Sequence, residues 1–179
     1  KLQFNPAAAA EVSETARGSL EKQPFELEQI KDILKACDLA DHGTEWKTAV
    51  HLAYYSAMRL GDATGLTWDA IDFEEKTICF VPQKTRRKSP KPITLPMHFA
   101  VYDHFSGLTL PKDHQAKITP ELSRLGTNWS SRIFTGKILP LAGIDPKRTD
   151  PGDKSEKGRK VSQLSFHSFR HSLASHLAA

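Results

Sequence analysis

Phe166-His167-Ser168-Phe169-Arg170-His171-Ser172 is the stretch on which the reading of this chain turns. His167 and Arg170 stand at i and i+3, so a helix places them on one face. An arginine fork beside a titratable imidazole suits a phosphate whose bonds are being made and broken. Taken alone, the pair is equally an ordinary His and Arg on a helix surface. His167 and His171, at i and i+4, also raise a zinc pair. Ser168 stands where a zinc hydrolase helix needs Glu, however, and no Cys or carboxylate cluster supplies further ligands. No metal and no other cofactor is expected.

Far upstream, Arg59 leaves an apolar helix in Ser56-Ala57-Met58-Arg59-Leu60-Gly61-Asp62. Arg59 and Asp62 are again i and i+3. One reading is a surface ion pair worth about 0–1 kcal/mol. The other is that Asp62 fixes the guanidinium so that it offers two N–H groups to a phosphate. Set beside His167 and Arg170, this second arginine points to phosphoryl transfer on nucleic acid.

Charge supports that partner. Residues 1–75 hold 7 Lys/Arg against 14 Asp/Glu, and residues 76–179 hold 18 against 7. A chain divided this way presents a basic surface to a polyanion, unless the halves neutralise each other across the fold. Between Glu75 and Asp103 there is no acid, but there are Lys76, Lys84, Arg86, Arg87, Lys88 and Lys91. A two-stranded ribbon with such a tip can lie along DNA and contact phosphates. The plainer reading is a solvated sheet edge, where lysines resist aggregation. Residues 145–163, with Arg159 and Lys160 among other cations, read as a mobile basic loop.

The bulk composition narrows the class. With 179 residues and 39% hydrophobic content, the chain has material for one domain with a sizeable core. Cys37 and Cys79 are far apart and fit neither a disulfide scaffold nor a zinc ribbon, which suits a reducing cytoplasm. No apolar run has membrane-spanning length, and no signal peptide is expected from the opening residues.

Periodicity places these residues on elements. Residues 1–23, with Asn5-Pro6 and four alanines, read as an interdomain linker. A helix follows from Pro24 with Leu27, Ile30, Ile33, Leu34 and Cys37 inward. Thr44, as cap, opens a second helix to about Met58, and a short one can continue to Gly65. Leu66, Trp68 and Ile71 supply core anchors. Thr77 to Val81 reads as a strand, Arg86 to Pro90 as a turn, and Ile93 to Leu95 as a returning edge strand. Pro96 is expected to open a helix carrying Met97, Val101, Tyr102 and Phe105. Leu122 to Leu141 reads as mostly helical, with Leu125, Trp129, Ile133 and Phe134 in the core and Pro140 at its end. The last helix starts near Ser165.

The order and spacing of these features resemble the tyrosine recombinases of the phage integrase family. An Arg after a helix, then Leu66-Thr67-Trp68, then a strand ending in Gln83-Lys84-Thr85, precede His-x-x-Arg-His-Ser, which begins 108 residues after Arg59. The resemblance covers residues 24–179, the catalytic domain short of its end, with residues 1–23 like the bridge from an N-terminal domain. It implies a mostly helical α+β fold with a small antiparallel β-hairpin or sheet. It implies that Arg59, Lys84, His167 and Arg170 are catalytic, that Asp62 supports Arg59, and that Arg86, Arg87, Lys88, Lys91, Arg159 and Lys160 bind DNA.

The implied reaction is site-specific cleavage and rejoining of double-stranded DNA through a 3′-phosphotyrosyl link. It needs no cofactor and is carried out in the cytoplasm by a bacterial or phage-encoded protein that self-associates as a tetramer on DNA. Departures exist. Ala57 stands where the family often has Gly, Ala70 where it often has Asp, and Phe169 where it often has Leu, all read as packing changes. The family's nucleophilic tyrosine has no match here, since Tyr54, Tyr55 and Tyr102 stand at the wrong places. A catalytically silent DNA-binding relative and a type IB topoisomerase-like nicking enzyme share the residue set and stay open.

Overall fold

A capping box starts the first helix. In the computed structural model, which describes residues 22–88, 90–149 and 161–178, the Glu26 N–H donates to Gln29 Oε1 at 2.9 Å, and α1 spans Leu27–Asp38. Pro24 therefore precedes the helix. Phe25 is fully buried, while Leu27, expected inward, is half exposed. The turn into α2 (Gly43–Tyr55) is so tight that a Cβ on residue 43 would lie 2.1 Å from the Cys37 carbonyl oxygen, so glycine is required there. His42 precedes α2 in the left-handed region, and Thr44 lies inside the helix rather than capping it.

α2 ends at Tyr55. Ala57 takes a positive φ of 49°, and the chain turns into α3 (Leu60–Gly65). Met58 falls outside the helix but is buried. Ile71–Asp72 (β1), Thr77–Phe80 (β2) and Ile93–Pro96 (β3) form an antiparallel sheet in the order β1-β2-β3, with Ile78 opposite both Ile71 and Leu95. β3 is an edge strand, and Pro96 closes it instead of opening a helix. The expected turn between β2 and β3 begins with a short helix, α4 (Gln83–Arg86).

α5 (Phe99–Ser106) packs Val101 and Phe105 inward. The long helix expected over 122–141 is broken. α6 (Pro120–Leu125) stops at Gly126, whose φ of 76° and ψ of 160° suit only glycine. α7 (Thr127–Ile133) restarts in a new phase, so Trp129 faces solvent and Phe134 enters the core. A wider π-turn over Phe134–Ile138 leads into α8 (Leu139–Leu141), which contains Pro140. β4 (Arg148–Thr149) and β5 (Val161–Ser162) pair within the stretch expected to be loop. α9 (Ser168–Ala178) starts three residues after Ser165.

Two apolar cores result. One gathers α1, α2, α6 to α9 and a cluster of Phe25, Phe134, Phe166 and Phe169, with Phe25 and Phe169 rings 4.9 Å apart. The other gathers the sheet, α3 and α5 around Leu52, Trp68, Ile78 and Phe105. α3 spans the seam: Leu60 enters the first core, and Ala63 enters the second. Among the described residues, no helix is long and apolar enough to cross a membrane.

Candidate active site

The seam between the two cores opens into a cavity of about 540 Å³, and Arg59, Asp62, Lys84, His167 and Arg170 all line it. Three separate pieces of chain deliver them. Arg59 immediately precedes α3 in an extended conformation, so its side chain leaves the helix start toward the cavity. Lys84 comes from α4, on the loop between β2 and β3. His167 and Arg170 come from the start of α9, held from below by Phe166 and Phe169, which are buried in the aromatic cluster.

α9 is anchored by hydroxyls. Ser168 Oγ accepts from the Ser165 N–H at 3.2 Å. The fully buried Ser172 donates to the Ser168 carbonyl at 2.9 Å and accepts from the Phe25 N–H at 2.7 Å. The chain entering α1 is thus bonded to the helix that carries His167 and Arg170. Lys22 and Gln23, within the stretch read as linker, also bond to the backbone of Ser162 and Gln163.

Asp62 is the buried anion of the site, with its side chain 4% exposed. Its Oδ2 lies 3.9 Å from the Arg59 guanidinium, a charge contact rather than a hydrogen bond. Its Oδ1 accepts the Gln83 N–H at 2.8 Å. One carboxylate therefore links the base of Arg59 to the start of the segment that carries Lys84. Arg170 is half-buried and donates to the Ala57 carbonyl, so the left-handed turn at Ala57 presents an acceptor that aims this guanidinium.

The site is strongly cationic. Burial first, and then the charges of His171, Arg170, Arg59 and Lys22, lower the His167 pKa from its ordinary 6.5. Its imidazole is therefore neutral near pH 7, with one ring nitrogen able to donate and the other to accept. Burial and the nearby Arg59 likewise lower the Arg170 pKa, against the pull of Asp62. An arginine remains charged under such pressure. Thr127, Ser131 and Ser165, which sequence reasoning did not single out, add hydroxyls to the wall. Among the described residues, no tyrosine lines it. Tyr54 is buried with its hydroxyl 2.9 Å from His176 Nδ1. Tyr55 stacks on His98, and Tyr102 packs against Phe73.

The other basic residues expected to bind DNA do not line this cavity among the described residues. Arg86 lines an adjoining polar cleft with Lys117. Arg87, Lys88 and Lys91 are exposed on the loop between β2 and β3. Arg159 and Lys160 fall outside the described residues. No three His, Cys, Asp or Glu side chains cluster as metal ligands among the described residues.

The chemistry of this set is that of an oxyanion site. Two guanidinium groups can hold the non-bridging oxygens of a phosphate, a lysine can reach a bridging oxygen, and a neutral imidazole can accept or relay a proton. The sequence model described as the phage integrase family matches residues 24–125, a span that includes Arg59, Asp62 and Lys84. No curated protein matches the sequence. Among solved structures, the catalytic domain of bacteriophage HP1 integrase is similar in fold. It shares 20% identity and a TM-score of 0.53, over 88% of this chain and 72% of that one.

Proposed function

Because this chain belongs to the phage integrase family, whose sequence model spans more than half of it, we propose that it is the catalytic domain of a tyrosine-type site-specific DNA recombinase. The observation that carries the reading is convergence. Arg59, Lys84, His167 and Arg170 are dispersed over the sequence and line one cavity.

In the proposed reaction, a tyrosine of the full-length protein attacks a DNA phosphodiester. A P–O(Tyr) bond forms, and the bond to the 5′-oxygen breaks. Arg59 and Arg170 hold the non-bridging oxygens and offset the charge that accumulates on them. Lys84 gives its proton to the departing 5′-oxygen. His167, neutral near pH 7, receives the tyrosine proton or donates a hydrogen bond to the phosphate. A 5′-hydroxyl from another strand then reverses the step. The covalent phosphotyrosine conserves the bond energy, so neither a nucleotide cofactor nor a metal enters the scheme. Exchange between two duplexes uses four such sites, hence a tetramer on DNA. Arg86, Arg87, Lys88 and Lys91 supply phosphate contacts that weaken as salt rises.

The test is a nicked suicide duplex incubated with the full-length protein. The expected product is a denaturant-resistant adduct joined through a DNA 3′-phosphate, together with a free 5′-hydroxyl that a polynucleotide kinase labels. Binding without adduct would identify a silent DNA-binding relative. Adduct formation at arbitrary sequences, with relaxation of supercoils, would identify a topoisomerase-like enzyme. Either result overturns the proposal.

A further inference from the structure

The geometry points to Gln83 as a positioning residue for Lys84, a brace that joins the lysine's short helix to α3. The inference rests on Lys84 being the acid that protonates the leaving 5′-oxygen. α4 has no buried residue, so core packing does not hold it. Its only hydrogen-bonded links to α3 come from Gln83, among the described residues. The Gln83 N–H donates to Asp62 Oδ1 at 2.8 Å, and its side-chain Nε2 donates to the Gly61 carbonyl at 2.7 Å.

The surface that receives this amide is bare. Gly61 and Gly65 stand at i and i+4 on α3, on one face. A Cβ on Gly65 would lie 2.7 Å from Gln83 Nε2, and one on Gly61 would lie 3.0 Å from Gln83 Oε1. Two glycines therefore form a flat seat for one glutamine side chain. Gln83 is itself exposed, so its truncation empties no core. Around it, Lys84, Arg86, Arg87 and Lys88 repel one another, and nothing in their charges favours one orientation of the loop. The brace sets where Lys84 points, and Gln83 itself touches no reacting atom.

This role separates from a general structural one by the choice of leaving group. When the bridging 5′-oxygen of the scissile phosphate is replaced by sulfur, the P–S bond breaks with the electron pair on sulfur. A thiol is far more acidic than an alcohol, so the thiolate departs without a proton. Loss of a misplaced acid is then bypassed. The experiment measures single-turnover cleavage of oxygen- and sulfur-bridged suicide duplexes by the full-length protein and its Gln83→Ala, Gly65→Ala and Lys84→Ala variants.

Gln83→Ala is expected to slow the oxygen substrate about tenfold to a hundredfold, part of the ~10²–10⁴-fold that a general acid supplies. It should cleave the sulfur substrate at the wild-type rate. Gly65→Ala should behave alike, because its new methyl displaces the far end of the Gln83 side chain. Alanine favours the helix, so the Tm of that variant should be unchanged or raised. Equal slowing of both substrates by Gln83→Ala, or no slowing of either, overturns the inference. If Lys84→Ala itself is not rescued by sulfur, the general-acid reading falls and the inference with it. If Lys84→Ala is rescued and Gln83→Ala is not, only the brace is wrong.

Discussion

Ala57→Gly should stabilise this domain, and the size of the effect follows from one turn. Ala57 has a φ of 49°, in the left-handed region. It lies between the end of α2 and Arg59, where the Met58 N–H returns to the Leu52 carbonyl at 3.3 Å. An L-residue in that conformation costs about 1–2 kcal/mol. Glycine removes the clash but brings a looser unfolded chain, a penalty of roughly 0.5–1 kcal/mol. The lost methyl is half-exposed and contributes less than the ~0.8 kcal/mol of a fully buried one. With the methyl subtracted, the net gain is about 0–1 kcal/mol, or up to ~4 °C in Tm for a domain of this size. A β-branched residue is a severe outlier at positive φ, so Ala57→Val should lose more than Ala57→Gly gains. Urea titration, with a midpoint shift at constant m-value, measures both. A destabilised glycine variant, or a valine variant as stable as the parent, would refute the reasoning. Ala57, read from the sequence as a packing change, is thus a matter of backbone conformation in this chain.

Replacing Arg86, Arg87 and Lys88 together with alanine should weaken DNA binding and reduce its logarithmic salt slope by about 1 for each phosphate no longer neutralised. An unaltered slope would mean that this loop does not touch the backbone. Acid stability should depend on His104. Burial first, and then the charges of His51 and Lys47, lower its pKa from 6.5 to about 4. Its ring stacks on His51 at 4.6 Å, and its Nε2 lies 2.8 Å from Thr48 Oγ1. The unfolded state therefore binds the proton more readily, and the stability from the neutral ring is full above pH 6.5 and lost as pH falls toward about 4. His104→Gln should flatten stability against pH in that window, as read by chemical denaturation. An unchanged slope would sink the assignment.

The parts legible in the sequence were those set by side-chain chemistry at short range. The i, i+3 spacings of Arg59 with Asp62 and of His167 with Arg170 placed each pair on a helical turn. The β-branched and aromatic run from Thr77 to Val81 gave the central strand, and Ile93 to Leu95 its returning edge. What escaped was set by backbone geometry. Gly126 breaks the helical phase, so Trp129, inward on a continuous helix, is exposed. Pro96 satisfies an edge strand as well as a helix start, and the three residues around Ile93 could not decide between them. β1 is only two residues long, too short for any periodicity. Gln83 stood in plain view beside Lys84, and the Gly61 and Gly65 spacing was the available signal. Glycine pairs on a short helix have too many ordinary explanations for that signal to be read without coordinates. Asp62 was read as the partner of Arg59 alone, because its bond to the Gln83 N–H joins residues 21 apart in sequence.

The central claim is that the cationic cavity holds a DNA phosphate while a tyrosine attacks it. Arg170 donates to the Ala57 carbonyl and lines that cavity, so its removal tests the claim most directly. Covalent adduct should be quantified with the full-length protein and its Arg170→Ala variant on the same suicide duplex, at protein concentrations that saturate binding. The expected result is bound DNA with adduct reduced by at least about a hundredfold, the loss typical when one oxyanion donor is removed. Undiminished adduct from the variant would contradict the claim.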